Sequence, residues 1–482
     1  MLVTVKLNKI NSVVIKKFLD LRPLYCVVKN NYSQKSDDLF KCYSDQGAFV
    51  GKYEPLNEQD YGRFVSKRAG SREPALTRQM TSLAYKVGKQ MISLAEGMPN
   101  EEVFPFTKLT IESKSGPSLM MEGKELSAAL QYMPSQGLPA LLTELRQFQE
   151  DLHRPPPVAR DVMVTNGGQH GIYQCVDMLV DPGDPVIVNE YSYTGIHVTL
   201  KPLHPEIISI PEDTDGLIPE TLESVLQDRL TRGLKMPKML YIIPTGSNPS
   251  GTVVPEERRR KIYELACRFD FIIVEDDPYM FLNYTEQIIP SFLSLDTCGR
   301  VIRLDSLSKV VSAGLRAGWV TAPAPLLSKL ELHMQGELLH SCSLSQAILH
   351  RLLVQREALA THLLSARALY RRRRDALHEA LQPVNGLMEW SLPDAGLFLW
   401  ARVRGVEDVY KMVFETAFNR GLMLLPGQAF TYDTSTPCQY VRLTFSKIRY
   451  EDMNIAASHL VSIIKDEQAR TLQKPQRLAT EH

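Results

Sequence analysis

The chain has 482 residues, 44% hydrophobic and 23% charged, with 55 lysines and arginines against 55 aspartates and glutamates. That length supports a large core and two packed lobes, and the balanced charge argues against nucleic acid or an acidic macromolecule as a partner. No apolar run approaches the roughly 20 residues of a membrane span. The seven cysteines, scattered from Cys26 to Cys438 without a CxxC pair, point to reduced thiols rather than a disulfide framework or a zinc site.

Residues 1–57 read as an N-terminal extension. Its first nineteen positions carry Lys6, Lys9, Lys16 and Lys17 and no acid. A cationic, acid-free start fits a mitochondrial import signal, and its shortage of arginine and serine fits a cytosolic tail; both localisations stay open. From Asn30 to Asp60 the composition is polar, as in a flexible segment. Residues 58–120 read as an arm and part of a small lobe, with a short helix over Thr77–Tyr85 and a loop at Ala95-Glu-Gly-Met-Pro99.

Leu126–Leu130 is helical in pattern and Tyr132 follows it. Leu138–Asp151 reads as a helix broken by Pro155-Pro-Pro157. Val162–Thr165 is a short strand, and Gly167-Gly-Gln-His-Gly171 opens a helix over Ile172–Leu179. Such a glycine-rich entry aims free N–H groups and the helix dipole at an anion; His170 reads as structural. Pro185 to Tyr193 is a strand and loop. Met239–Ile243 is a buried strand feeding Pro244-Thr-Gly-Ser-Asn-Pro-Ser-Gly251, and Pro255–Phe269 is an amphipathic helix. Phe271-Ile-Ile-Val274 is a buried strand ending in Glu275-Asp-Asp-Pro-Tyr279. Val301, Ile302 and Leu304 lead into Ser306-Leu-Ser-Lys-Val-Val-Ser-Ala-Gly-Leu-Arg316. Strand and helix alternate, which predicts an α/β lobe over 121–365 with a mainly parallel, helix-covered sheet. Helices are expected over Leu326–Leu339, Ser343–Val354 and Ala358–Leu381. A smaller α+β lobe over 366–470 follows, with strands at 386–390, 396–401 and 440–445 and a helix over Val406–Arg420; residues 471–482 form a tail.

Lys309 is the most informative residue. A lysine just past a buried strand is costly unless held, and desolvation pushes its amine toward the neutral, nucleophilic form. Ser306, Ser308 and Arg316 on the same loop offer two hydroxyls and a planar fork to a dianionic phosphate. An amine for an aldehyde beside donors for a phosphate describes a pyridoxal 5′-phosphate pocket. Arg442, in the alternating strand Tyr440–Phe445, is costly without an anion of its own.

Asn248-Pro-Ser-Gly251, Asp276-Asp-Pro-Tyr279 and Ser306 to Arg316 together resemble the fold-type I pyridoxal-phosphate aminotransferases, in order and at family-like spacing. Met91 to Asn100, Ala129 to Gly137, Asn166 to Gly171 and Phe445 after Arg442 narrow the likeness to the kynurenine/alpha-aminoadipate branch, over roughly Tyr61 to Lys465. The resemblance implies a fold-type I transferase with Lys309 as the lysine that holds the cofactor and shuttles the proton at Cα. It gives Asp276 to the pyridine nitrogen, Asn248 and Tyr279 to the ring hydroxyl oxygen, and Tyr193 to stacking on the ring. Gly168, Gln169, Ser306, Ser308 and Arg316 fall to the phosphate. Arg442 would grip the substrate α-carboxylate, with Asn248, Arg78, Gly97 and Tyr132 around the substrate. Tyr132 would also reach the cofactor of a neighbouring subunit, which implies a homodimer. Two departures stand out: Glu96 where the branch has glycine, and Gly168 where relatives often carry a hydroxyl.

The expected reaction moves the amino group of kynurenine, 2-aminoadipate or an aromatic amino acid to a 2-oxo acid such as 2-oxoglutarate. An aromatic-preferring aminotransferase, a cysteine-conjugate β-lyase and a non-catalytic regulatory protein that binds the cofactor are the alternatives, since fold alone does not choose among them.

Overall fold

The computed structural model describes residues 52–478 except 88–91, 93, 96, 115, 116 and 286. Most of the N-terminal extension, including the basic segment, and the departure at Glu96 therefore lie outside the described residues.

Seven strands build the central sheet: β1 (Arg160–Thr165), β2 (Pro185–Asn189), β3 (Glu206–Ile210), β4 (Met239–Ile242), β5 (Ile272–Asp276), β6 (Val301–Ser306) and β7 (Gly318–Pro323). Their spatial order is β1-β7-β6-β5-β4-β2-β3. Neighbours are parallel except at β7, which runs antiparallel to both β6 and β1. Strands β2, β4, β5, β6 and β7 are buried at every position. Helices covering both faces demand that, and it explains why these strands read as unbroken apolar runs.

Side chains still alternate between two cores. Met239 and Tyr241 of β4 join one apolar cluster, with Ile272 and Val274 of β5 and Ile302 and Leu304 of β6. Leu240, Ile242, Ile273 and Val301 point to the other. The second core is closed by a helix over Glu256–Phe269. It carries two acids in its first turn, Arg268 in its last, and a left-handed stop at Asp270 (φ 61°). That helix buries Ile262, Leu265, Ala266 and Phe269, the spacing of one helical face. Trimming Leu265 to alanine there costs about 2–5 kcal/mol.

A second sheet is antiparallel: β8 (Met388–Trp390), β9 (Phe398–Val403), β10 (Leu425–Pro426) and β11 (Tyr440–Thr444), ordered β8-β9-β11-β10. The first apolar cluster continues into it through Leu363, Leu377, Leu399, Val441 and Phe445. The two sheets also meet backbone to backbone where the loop after β4 touches the turn before β9. A Cβ on Gly246 (φ 64°) would lie 2.5 Å from the Gly396 nitrogen. Only glycine allows that approach, and it sets the Asn248 loop beside β11.

Several elements differ from the sequence reading in extent. The glycine-rich helix, named α1, spans Gly168–Leu179 with Gly167 as its N-cap, and so includes Gly168 and Gly171, expected to precede it. The helix expected over Val406–Arg420 covers 410–419 with a π turn at Met412–Ala417. The last helix runs from Tyr450 to Leu478, past the start of the expected tail. No helix among the described residues is long and apolar enough to cross a membrane.

Candidate active site

The C-terminal ends of β4, β5 and β6 and the start of α1 converge at one end of the central sheet, the place where open α/β sheets bind ligands. Asp276, the last residue of β5, shares the face of Ile272 and Val274 and is buried. Its Oδ2 accepts a hydrogen bond from the Tyr241 hydroxyl at 2.6 Å. Burial pushes its carboxyl up to about 6, with Tyr241 and the Lys309 ammonium opposing. A tyrosine in an otherwise aliphatic buried strand was the one signal for Tyr241, since its hydroxyl needs a partner.

Lys309 follows the Ser306-Leu-Ser308 turn after β6, and its Nζ stands 6.0 Å from the centre of the Tyr279 ring. Burial lowers the amine, Asp276 pulls it up, and Arg316 and Arg442 lower it further. Ser306 donates to the Ser308 hydroxyl at 2.8 Å and accepts from the Ser308 N–H at 3.1 Å, which folds both hydroxyls into one turn. Arg316 takes a left-handed backbone (φ 48°) and donates to the Asn166 carbonyl at 3.3 Å. A Cβ on Gly167 (φ 81°) would come within 2.6 Å of the Arg316 guanidinium, and one on Gly168 within 3.9 Å of Asp276 Oδ1. The start of α1, Arg316 and Asp276 are thus immediate neighbours. Gln169 donates to the Gly195 carbonyl and the Thr199 hydroxyl at 3.2 Å each, leaving its buried Oε1 without a partner.

Arg442 of β11 donates to Asn248 Oδ1 at 2.7 Å. Its guanidinium lies over Phe398 at 4.0 Å and Phe430 at 4.9 Å. None of the ion pairs among the described residues uses it, and burial lowers it to about 10. A half-buried arginine faced by an amide and aromatic rings is prepared for an anion from outside. Tyr279 is buried edge-on to Phe398 at 6.1 Å, and both Tyr279 and the half-buried Tyr193 are raised by desolvation. Beneath the site, on the opposite face of the sheet, fully buried Arg303 pairs with Asp305 (2.8 Å), Glu275 (3.1 Å) and Asp277 (3.4 Å). The sequence reading passed over that network; two acids beside one arginine on adjacent buried strands were its signal.

Lys309, Asp276, Tyr279, Asn248, Tyr193, Ser306, Ser308, Arg316, Gly168, Gln169 and Arg442 therefore gather around one site. Arg78 and Tyr132 lie in a second group, which Gly97 approaches only through the loop that follows it. Arg78 donates to Ser135 Oγ at 3.2 Å and to the Met133 carbonyl. The exposed Tyr132 packs edge-on to His340 at 5.8 Å. Gln131 ties the loop after Gly97 to this group through the Pro99 carbonyl at 2.9 Å.

The family model for Aminotransferase class I and II matches residues 89–460. The chain belongs to the class I and II aminotransferases. It is 40% identical over 422 residues to the mitochondrial kynurenine/alpha-aminoadipate aminotransferase of Bos taurus, covering 84% of this chain and 99% of that protein. It is 29% identical over 432 residues to an aromatic amino acid aminotransferase of Dictyostelium discoideum, covering 86% and 89%. Among solved structures it is similar to the Pyrococcus horikoshii kynurenine aminotransferase in complex with PMP, with KYN as substrates and KYA as products (TM-score 0.68, 30% identity, 85% and 98% covered). It is also similar to the aminotransferase Aro8 from Candida albicans (TM-score 0.77, 25% identity, 86% and 100% covered).

As a class I and II aminotransferase it is a pyridoxal-phosphate-dependent enzyme that exchanges amino groups between amino acids and 2-oxo acids. Its residues fit that cofactor. A buried acid raised by desolvation is ready for a cationic ring nitrogen, and the glycine cradle beside Arg316 leaves room at a helix N-terminus for a phosphate.

Proposed function

We propose that this aminotransferase takes L-kynurenine, L-2-aminoadipate and aromatic amino acids as donors and a 2-oxo acid such as 2-oxoglutarate as acceptor. The observation carrying this reading is Arg442, a half-buried guanidinium that no acid among the described residues pairs with, held on Asn248 over Phe398. Its flat fork suits an α-carboxylate, and the aromatic rings around it suit an extended or aromatic side chain. The similarity to kynurenine/alpha-aminoadipate enzymes supports the same donors.

Bound pyridoxal phosphate supplies an electron sink for the electrons left when the Cα–H bond breaks. The chain's residues do the remaining work. Arg442 anchors the α-carboxylate and thereby aims Cα–H at Lys309. The Lys309 amine, kept low by burial, would take the proton from Cα and hand it to the cofactor's former aldehyde carbon on the far side of the amino nitrogen. Asp276, ionised above about pH 6 and steadied by Tyr241, keeps a proton on the ring nitrogen. Asn248 and Tyr279 would hold the ring oxygen, and Tyr193 would cover the ring. Ser306, Ser308, Arg316 and the N–H groups of Gly168 and Gln169 would hold the phosphate.

Arg78, Gly97 and Tyr132 are read as completing the substrate site of a second copy, so the working unit is a homodimer. The exposed Leu76, Met80 and Leu83 of the arm helix support a covered surface there. The basic, acid-free start of the chain and the mitochondrial forms among the relatives support the mitochondrion as its location.

The test is spectroscopic. L-Kynurenine and then L-2-aminoadipate are added to the purified enzyme, and the collapse of the cofactor's visible absorbance is followed. The faster donor names the substrate; collapse with neither overturns the donor assignment. Lys309→Ala is expected to abolish transfer to 2-oxoglutarate, and wild-type turnover by this variant would refute the role of Lys309.

A further inference from the structure

His170 lies on α1, two residues beyond the glycine that begins it, and makes two opposed contacts. Its Nδ1 accepts the Asn166 N–H at 3.1 Å, and its Nε2 stands 2.9 Å from Glu337 Oε2. A ring nitrogen that accepts carries no hydrogen, so in the neutral ring the hydrogen sits on Nε2 and is donated to Glu337. The carbonyl of the same Asn166 accepts from Arg316, and Gly167 packs against that guanidinium. His170 therefore holds the peptide before the Asn166 Cα, and Arg316 holds the peptide after it.

The surroundings explain the form of the ring. Glu337 ends the helix Ala324–Glu337, and His333 lies one turn earlier on it. His333 Nδ1 is 3.1 Å from the same Glu337 oxygen but off its hydrogen-bonding direction, and its Nε2 is 3.5 Å from Asp177. Asp177 is in turn paired with Arg68 and Arg72. Glu337, His333, Asp177, Arg68 and Arg72 are the charged and titratable groups on this side. Ligand atoms of His170, His333 and Glu337 lie within 4.8 Å of one another, as at a metal centre. A cation on His170 Nε2 would, however, move the hydrogen to Nδ1, head-on against the Asn166 N–H. The arrangement suits a proton and not a metal.

We propose that His170 is a positioning residue for the cofactor phosphate: its neutral ring fixes the Asn166–Gly168 loop against Arg316, and a proton on Nδ1 releases it. This rests on the reading that Arg316 and the start of α1 hold the phosphate. Burial lowers the ring below its ordinary 6.5 while Glu337 pulls it up. The grip is therefore complete near pH 8 and weakens as pH falls through the lowered value.

The experiment uses the full-length holoenzyme converted to its pyridoxamine 5′-phosphate form, which only non-covalent contacts retain. Release into excess buffer is followed by cofactor fluorescence between pH 5 and 8.5. Wild-type release is expected to accelerate toward acid. His170→Asn, whose Oδ1 replaces Nδ1 as acceptor but cannot titrate, should release slowly and lose the extra acid acceleration; the phosphate's own second ionisation, near pH 6, is common to both curves. His170→Leu should release roughly tenfold faster at pH 8, as expected for one orphaned buried N–H. Glu337→Gln keeps an acceptor for Nε2–H and removes the charge that favours the imidazolium, so its acid break should move to lower pH. Arg316→Met serves as the reference and should release faster at every pH. If Arg316→Met is fast while His170→Asn keeps the wild-type acid break and Glu337→Gln leaves it in place, the role of His170 is overturned and the phosphate site stands. If Arg316→Met releases at the wild-type rate, the phosphate reading fails and takes this inference with it.

Discussion

Replacing Asp276 with asparagine should make the cofactor-free protein more stable while disabling the enzyme. Asp276 is buried, and its carboxyl is raised from 3.8 to about 6 mainly by desolvation. Between those values the folded protein holds a proton that the unfolded chain has released, so stability falls as pH rises through about 6 and then levels. The displacement corresponds to ~3 kcal/mol of penalty on the ionised carboxylate at pH 7. Asparagine keeps an acceptor for the Tyr241 hydroxyl and carries no charge. Urea unfolding of the cofactor-free forms at pH 7 should therefore show Asp276→Asn more stable by up to ~3 kcal/mol, a difference that vanishes near pH 4. With cofactor added the order should reverse, because the carboxylate gains a protonated ring nitrogen as partner, and transamination by the variant should be lost. A cofactor-free variant less stable than wild type at pH 7 would refute the desolvation argument, since Asp276 would then be paired by something other than Tyr241 and Lys309.

Arg442→Met should lower kcat/KM by about 30- to 150-fold, the equivalent of roughly 2–3 kcal/mol for charge-assisted bonds to a carboxylate. Cofactor retention should be unchanged, and lysine should not rescue a bidentate contact. Gly167→Ala meets both a positive φ and a guanidinium 2.6 Å from its new methyl. It should loosen the cofactor roughly tenfold, read as release rate, with little change in secondary structure by circular dichroism. Arg303→Met strands Asp277, Asp305 and Glu275 without their shared partner and should cost about 3–5 kcal/mol in urea unfolding at pH 8. Asp277 is already raised to about 7 and Asp305 is raised too, both by burial. Part of the loss should therefore be recovered as pH falls and these acids take up protons.

The cofactor end of the site was legible because each of its residues sits within a few positions of a buried strand that the composition makes plain. Asp276 ends an unbroken apolar run, Lys309 follows one after a polar turn, and Asn248 lies in a proline- and glycine-marked loop. Partners that depend on strand order left weaker traces. Tyr241 reaches Asp276 because β4 and β5 are parallel neighbours and the two residues fall on the same face. Arg303 meets Glu275 through the β6–β5 register. The antiparallel β7, wedged between β6 and the first strand, has no local signature, because a fully buried strand reads the same in either direction.

Composition and local pattern determined the α/β class, the helical face of 256–269 and the glycine entry to α1, since these follow from periodicity within short windows; side-chain chemistry singled out Lys309 and its neighbouring hydroxyls and arginine as candidates, and the motif resemblance added Asp276. Only the tertiary structure decided which of them meet. Gly246 against Gly396 brings Asn248 to Arg442 across 194 positions, and the helix carrying Glu337 reaches back 167 positions to orient His170. Such contacts are set by packing between elements far apart in the chain, where the free energy belongs to the assembled core rather than to any one segment.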